Sequence, residues 1–479
     1  MRVPKLCVTV AAPTMAELRE RRDQVTKADL VELRVDSVRD PSAAAALAGR
    51  QLPVIFTCRP TWEGGWFSGS EEERKRILLD AQKLGAEYLD IEWRAGLDEV
   101  IAGRGGEGIV LSTHDFDGVP NDLVSRAQAM RSTGAAVVKL AVMPKRLSDN
   151  LALLPLTKDA GSPTVVIGMG EAGLATRILP GRFGSPWTYA GESVAPGQIP
   201  TTVMCEQYSF RRVSDRTALY GVVGRPVSHS ISPAIHNAAF RAAGVDAVYI
   251  PLAASDFDDF RTFAEAMSIA GVSVTAPFKV EAFECADQAD AVSRRVQAVN
   301  TLKRNGQGWS ACNTDVSGFL APLEAEMPVR GLRATVLGAG GAARAVGVAL
   351  ASAGAEVTFA ARRPEQATDV ATMTGGTVTG WPPEPGSWDV LINTTPLGTS
   401  PRVDETPMPH GQFTGRLVYD LVYNPIETRL LREARAAGCR TLGGLDMLIA
   451  QAQKQFEWWT GVRASDRVMR QAAINALRS

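Results

Sequence analysis

The sequence predicts two α/β architectures in series: an N-terminal (β/α)8 barrel, then a two-lobed α/β unit whose second lobe has a dinucleotide-binding fold. Three observations lead to this. Short aliphatic or β-branched runs alternate with helical segments over roughly the first 210 residues, the alternation restarts at Leu219, and a glycine-rich strand–loop–helix–strand unit of about 30 residues follows from Ala334. At 479 residues the chain is too long for one ordinary core, and roughly 150 residues per domain gives about three.

In the first half the strand candidates are LCVTV, LVELRVD, PVIFTC, YLDIEW, GIVLSTHDF, VVKLAV, PTVVIGMG and WTYAG. Stretches such as MAELRERRDQV and EEERKRILLDAQKLG between them carry the 3.6-residue period of amphipathic helices. Eight such strands suit a compact barrel, with a short helix after PTVVIGMG. Beyond Leu219 come YGVVG, VYIPLAA, GVSVTAP and WSACN, then ATVLGAGGAARAVGVALASAGAEVTFAARR, DVLINTT and LVYDLV. The helical LDMLIAQAQKQFEWWTG is expected to return across the preceding domain. The Arg-, Ser- and Asp-rich segment Ser209–Thr217 reads as the joint, and Pro382–Gly386 as a surface loop. The expected domains are 1–212, 217–326 completed by C-terminal helices 446–479, and 327–445.

Composition narrows the function classes. With 45% hydrophobic and 22% charged residues the chain is of soluble globular type. A net charge of -1 gives no global attraction to nucleic acid or an anionic membrane, and no apolar run approaches the ~20 residues of a membrane span. Six scattered cysteines without a CxxC pair, and four histidines not clustered with them, point to reduced thiols, a cytoplasmic protein and no metal site. Small-molecule partners are expected, and the oligomeric state is left open.

Lys139 lies inside the apolar strand VVKLAV. It is either a strand-end lysine reaching solvent or a lysine held in the barrel, where desolvation makes the amine nucleophilic. Glu32 and Arg34 share one face of LVELRVD; Arg59 and Glu63 follow PVIFTC; His114 ends GIVLST; Arg177 follows the MGEAG loop, and Gln198 lies in APGQ. The carboxyl ends of barrel strands converge on one mouth, so these residues become neighbours there. Such a set suits a small carboxylate bearing a ketone, although a salt-bridged rim places arginines similarly.

The strings LVELRVD, FTCRPTWEGG, STHDF, VVKLAVMP, GMGEAG and APGQIP, in that order, resemble the type I 3-dehydroquinate dehydratase family over approximately residues 1–210. The resemblance implies a TIM barrel in which Lys139 forms a Schiff base with the substrate ketone and His114 acts as base and then acid. It implies that Glu63 orients His114, that Arg34, Arg59, Arg177 and Gln198 hold the carboxylate and hydroxyls, and that Glu32 partners an arginine or the substrate. Val194 and Thr176 stand where the family often has serine.

In the second half, Gly338-Ala339-Gly340-Gly341-Ala342 follows strand ATVL and opens a helix, the required context for a dinucleotide loop. The next strand ends in Ala361-Arg362-Arg363 where an NAD site would place an acid, so NADP is the expected cofactor. Upstream, GRPVSHSISPAIHN, GVSVTAPFK, AVNTL and CNTDVSG supply Ser230, Ser232, Thr275, Lys279, Asn300 and Asp315. Lys279 and Asp315 could protonate a carbonyl as it accepts hydride. Together with INTTPLG, VYDLVYNP and GGLDMLIAQAQKQF, these strings resemble the shikimate dehydrogenase family from about Leu219 onward. That resemblance implies a Rossmann-type cofactor domain and a catalytic pair Lys279–Asp315. It further implies Ser230, Ser232, Thr275 and Tyr423 at the substrate carboxylate, Asn300 and Gln451 on ring hydroxyls, and Asn393, Thr395, Gly444 and Met447 on the nicotinamide side. The expected function is therefore bifunctional: Schiff-base dehydration of 3-dehydroquinate, then NADPH-dependent reduction of 3-dehydroshikimate to shikimate. Two alternatives are a quinate/shikimate dehydrogenase half using NAD and a non-catalytic metabolite sensor.

Overall fold

The computed structural model describes residues 3–158, 161–192, 194–306, 308–409 and 412–478, so the expected domain ends at residues 1 and 479 lie outside it. The chain divides into two compact units. The first is 1–219 with 226–228 and 246–268, and the second is 220–225, 229–245 and 269–479.

The first unit is built on eight parallel strands: β1 (Lys5–Val10), β2 (Leu30–Arg34), β3 (Val54–Thr57), β4 (Tyr88–Glu92), β5 (Ile109–Asp115), β6 (Val137–Val142), β7 (Thr164–Gly168) and β8 (Trp187–Ala190). Their hydrogen-bonded order is β7–β6–β5–β4–β3–β2–β1–β8, so the ladder stays open at the β7/β8 seam. Side chains take up the amides that ladder bonds would have satisfied: Val166 N donates to Ser185 Oγ (3.0 Å) and Gly168 N to Thr176 Oγ1 (2.8 Å). The helix after β7 is short, Leu174–Ile178.

The two-residue period of the strands sorts the barrel interior into layers. Leu30, Ile55, Val110, Val137, Val165 and Trp187 pack into an apolar floor. Two residues further along their strands, Glu32, Thr57, Ser112 and Lys139 therefore form a polar layer above that floor, nearer the carboxyl ends. β10 (Ala247–Ala253) and helix Phe257–Ala266 also belong to this unit. The buried Asp259 carboxylate ties that helix to the barrel by accepting from Leu147 N (2.9 Å) and Ser148 N (2.8 Å).

In the second unit a mixed sheet runs β9 (Ala218–Gly224), β11 (Ile269–Val274), β13 (Thr301–Asn305), β14 (Gly308–Cys312) and β12 (Gln288–Ala289). A parallel sheet follows, made of β15 (Arg333–Leu337), β16 (Glu356–Ala360), β17 (Thr377–Thr379), β18 (Val390–Asn393), β19 (Leu417–Asp420) and β20 (Arg440–Leu442). Its order is β17–β16–β15–β18–β19–β20. This is the doubly wound 3-2-1-4-5-6 arrangement, whose ligand crevice lies at the carboxyl ends of β15 and β18, where the strand order reverses. Helix Gly444–Thr460 returns to the mixed sheet: Gln455 Nε2 donates to Thr301 Oγ1 (2.9 Å) and Trp459 Nε1 to Leu302 O (3.0 Å).

Candidate active sites

In the first unit a cleft opens at the barrel mouth, and Glu32, Arg34, Arg59, Glu63, His114, Lys139, Arg177 and Gln198 all line it. Strand geometry gathers them: Glu32 and Lys139 point inward from the middle of β2 and β6, and the others come from the carboxyl ends of strands or the segments that follow them. Lys139 is 5% exposed, so it is not a strand-end lysine reaching solvent. Its Nζ lies 2.9 Å from Asp90 Oδ2, 3.4 Å from Glu32 Oε1 and 4.3 Å from the centre of the Tyr189 ring. Burial pushes the carboxyls of Asp90 and Glu32 upward, but nearby cations outweigh it and hold both below their ordinary values. Arg59 and Lys139 act on Asp90, and Lys139 on Glu32.

The three arginines differ in kind. Arg34 is clamped by both oxygens of Asp36 (2.9 and 2.8 Å) and stacks over Trp66. Arg59 is buried between Asp90 (2.9 Å) and Glu92 (3.1 Å), and Glu92 is also bound by the buried Arg74. Arg177 has no carboxylate partner among the described residues. Nη2 donates to Pro196 O (3.0 Å), Nε is buried without a partner, and burial pushes the guanidinium down to about 10.

His114 Nδ1 sits between Glu63 Oε1 (3.3 Å) and Arg59 Nη1 (3.1 Å), while its backbone N–H donates to the same Glu63 oxygen (2.7 Å). Burial, reinforced by the Arg59 and Lys139 cations, pushes the imidazole well below its ordinary value. It is therefore neutral near pH 7 and able to take a proton. Gln198 Oε1 accepts from Val194 N (2.9 Å) and Ala195 N (3.2 Å), which folds the APGQ loop over the cleft. Sequence reasoning missed Asp90, Glu92 and Tyr189, although two acids at alternate positions of the apolar YLDIE were a usable signal for the first pair.

In the second unit Lys279 Nζ lies 2.6 Å from Asp315 Oδ2. Asn300 Nδ2 donates to Asp315 Oδ1 (2.8 Å) and Thr314 Oγ1 (2.9 Å), and lies 3.4 Å from Gln451 Oε1. Four expected residues thus form one cluster. Among the described residues no hydrogen bond or ion pair joins Ser230, Ser232, Thr275 or Tyr423 to it. Ser230 Oγ accepts from Ser232 N (3.3 Å) at the start of helix Ser232–Ala243, Thr275 follows β11, and burial pushes the Tyr423 phenol upward.

At the switch point, Gly338 has φ +112°, and a Cβ there would lie 2.6 Å from Thr394 Oγ1. Ala339 and Ala342 are half-buried, whereas Gly340 and Gly341 face open space at the start of helix Gly341–Ser352, whose N-terminus has no side-chain cap. Free amides in an open glycine-lined turn fit a pyrophosphate. Arg362 and Arg363 are exposed just past β16. Asn393 is spent within the protein, donating to Asp420 Oδ1 (2.9 Å) and accepting from Thr395 N (2.9 Å) and Thr395 Oγ1 (2.7 Å), so with Thr395 it shapes the loop. A Cβ on Gly444 would lie 2.2 Å from Leu421 O, and Met447 is buried in the core of the parallel-sheet lobe. Among the described residues there is no group of His, Cys, Asp and Glu able to hold a metal, and no helix long and apolar enough to cross a membrane.

Comparison with known proteins bears on both units. Family models match for type I 3-dehydroquinase over residues 6–215, the shikimate dehydrogenase substrate-binding domain over 222–302 and the shikimate 5′-dehydrogenase C-terminal domain over 444–474. A bifunctional 3-dehydroquinate dehydratase/shikimate dehydrogenase of Arabidopsis thaliana, named as chloroplastic, is 34% identical over 95% of this chain and 82% of its own. A shikimate dehydrogenase (NADP(+)) of Moorella thermoacetica is 43% identical over 54% of this chain and 95% of its own. The crystal structure of the Thermus thermophilus shikimate 5-dehydrogenase with NADP(H) and shikimate matches with TM-score 0.51 and 34% identity, covering 54% of this chain and 99% of that one.

Proposed function

The chain belongs to the family of bifunctional 3-dehydroquinate dehydratase/shikimate dehydrogenases, and on that premise we propose how its residues divide the two reactions. It is a lyase and an NADP-dependent oxidoreductase of the shikimate pathway.

In the dehydratase half, the Lys139 amine adds to the ketone carbon of 3-dehydroquinate, and the carbonyl oxygen leaves as water, giving an iminium at Nζ. His114 Nε2 removes a proton from the adjacent carbon, and the C–H electron pair moves toward the iminium to form an enamine. The enamine pair then expels the β-hydroxyl, which leaves as water with the proton returned by His114. A further water hydrolyses the product iminium and frees Lys139. In this reading Nδ1–H of His114 donates to Glu63, which leaves Nε2 as the proton acceptor. Arg177 binds the substrate carboxylate, Arg34 and Gln198 take the remaining polar groups, and Glu32 and Arg59 hold Lys139 and His114. The observation that carries this reading is the buried Lys139, flanked by two carboxylates and facing a neutral histidine across one cleft.

In the dehydrogenase half, Lys279 gives a proton to the carbonyl oxygen of 3-dehydroshikimate, and Asp315, held by Asn300, keeps that lysine in place. Ser230, Ser232, Thr275 and Tyr423 bind the carboxylate region, and Gln451 a ring hydroxyl. Gly338 to Ala342 would hold the pyrophosphate and Arg362 and Arg363 the 2′-phosphate, while Asn393 and Thr395, bonded to each other, would shape the nicotinamide side together with Gly444 and Met447. NADPH, when bound, supplies the hydride. The functional parts are 1–212, 217–326 with 446–479, and 327–445; the matches over 6–215 and 222–302 support the separation of the first two. Six free cysteines support a reducing, cytoplasmic setting.

A coupled assay with 3-dehydroquinate and NADPH tests the assignment. Lys139→Ala should form no dehydroshikimate, and Lys279→Ala should accumulate it. Loss of both activities in either variant would overturn the division of labour.

A further inference from the structure

Tyr189 was singled out by no motif, yet its ring face carries the reacting nitrogen. Lys139 Nζ stands 4.3 Å from the ring centre, inside the ~6 Å range of a cation–π contact. The ring cannot swing away. Tyr189 is 4% exposed, lies in β8, and its strand is laddered to β1 with Tyr189 opposite Cys7. It lines the same cleft as His114 and Arg177.

We propose that Tyr189 is a further catalytic residue of the dehydratase half, its π face stabilising the iminium cation at Lys139. This rests on the Schiff-base reading above. The number of N–H groups at Nζ differs between the two cations. The resting ammonium has three, and Asp90 Oδ2 and Glu32 Oε1 accept from it at 2.9 and 3.4 Å. Condensation with the ketone replaces two of the N–H bonds by the C=N bond, so the iminium can satisfy only one carboxylate directly. A quadrupole contact needs no N–H and persists through the change. The surrounding groups are Glu32 on β2, Arg59 after β3, the neutral His114 on β5 and Arg177 after β7, which line the same cleft, and Asp90 on β4, which pairs with Arg59 and Lys139. Asp90 and Glu32 attract either cation through space, but the substitution cuts their hydrogen bonds from two to one, whereas the ring contact loses none. Its loss therefore weighs more on the iminium than on the ammonium, and the deficit appears in how much Schiff base accumulates.

The test traps the Schiff base with borohydride across a range of 3-dehydroquinate concentrations in wild type, Tyr189→Phe and Tyr189→Leu, counting adduct by intact mass. Tyr189→Leu should raise the concentration for half-maximal trapping by about 2- to 30-fold, the range that cation–π strengths convert to. KM should rise with it, while kcat, set by proton removal from the iminium, changes less. Tyr189→Phe, which keeps the face, should stay within about twofold of wild type. Shikimate oxidation with NADP, together with an unchanged unfolding midpoint, checks that the chain is folded. Wild-type trapping by Tyr189→Leu, or an equal fall in Tyr189→Phe, would overturn the proposal. No adduct in the wild type itself would instead defeat the Schiff-base reading on which it rests.

Discussion

Replacing Arg177 by Met should make the free protein more stable and its first reaction far worse. Arg177 is 2% exposed, and among the described residues no carboxylate pairs with it. Burial, opposed only by the Glu32 charge, takes its guanidinium from its ordinary value down to about 10. The folded value lies below the unfolded one, so at every pH below about 10 the fold carries the full cost of a desolvated cation, which is relieved only in strong alkali. That depression corresponds to about 3 kcal/mol against the folded state at neutral pH. Met keeps most of the apolar volume without the charge, so the first unit should unfold roughly 5–10 °C higher. A 3-dehydroquinate carboxylate bound there would supply the missing charge-assisted bonds. At roughly 1.5–3 kcal/mol each, losing two should raise KM by about 100-fold or more. Thermal unfolding with and without substrate reads both effects: wild type should gain stability on adding 3-dehydroquinate and Arg177→Met should not. If the variant unfolds below wild type and still responds to substrate, Arg177 is a structural cation and the reasoning fails.

Three other outcomes are expected. Asp315→Asn removes the counter-charge 2.6 Å from Lys279, so shikimate oxidation should fall by about 10²–10⁴-fold while dehydratase turnover in the same preparation is unchanged. His236 is buried among Phe240 and Trp459, and burial takes its imidazole from 6.5 to about 3. The unfolded chain protonates first, so stability is complete above pH 6.5 and declines as pH falls toward 3, by about 2 kcal/mol at pH 5; urea unfolding should show this slope flattened in His236→Leu. Asp259→Asn leaves one acceptor oxygen where two now serve the amides of Leu147, Ser148 and Ser255. A loss of about 2 kcal/mol is expected, visible as earlier unfolding of the first unit, and a change under about 0.5 kcal/mol would mean the tie is replaceable.

The elements were legible because their periodicities are strong: all eight barrel strands and the β15–helix–β16 unit lie where alternation and glycine placed them. The β7/β8 seam was not, since its amides are satisfied by Ser185 and Thr176, residues whose hydroxyls carry no distinctive pattern. Lys139 stood out as a charge within an apolar run. Asp90 and Glu92 lie in a similar run, but which cation each one meets is decided by strands distant in sequence, through barrel register. The same limit hid the difference between Arg59, fixed by two acids, and Arg177, fixed by none. The sequence places Asn393 beside the cofactor without showing its partners. Its amide is consumed by Asp420 and Thr395, a partnership that needs the parallel pairing of β18 with β19.

On the roles proposed, the two sites treat their lysines in opposite ways for a reason rooted in charge conservation. Lys139 carries one positive charge as an ammonium and one again as an iminium. A rigid array in which Arg74, Glu92, Arg59, Asp90, Lys139 and Glu32 alternate in sign therefore serves both states without rearranging. Such an array can be dry, and the Lys139 side chain is only 7% exposed. Lys279 instead gives up its charge when it protonates the developing alkoxide, which leaves Asp315 without a counter-ion. A sealed site would oppose that step, because an unpaired buried carboxylate is costly. The Lys279 side chain is 23% exposed, and the rest of its cluster consists of the neutral amides Asn300 and Gln451. Solvent reaches Lys279, which ends its step neutral, whereas Lys139, cationic both at rest and as the iminium, is buried among fixed charges.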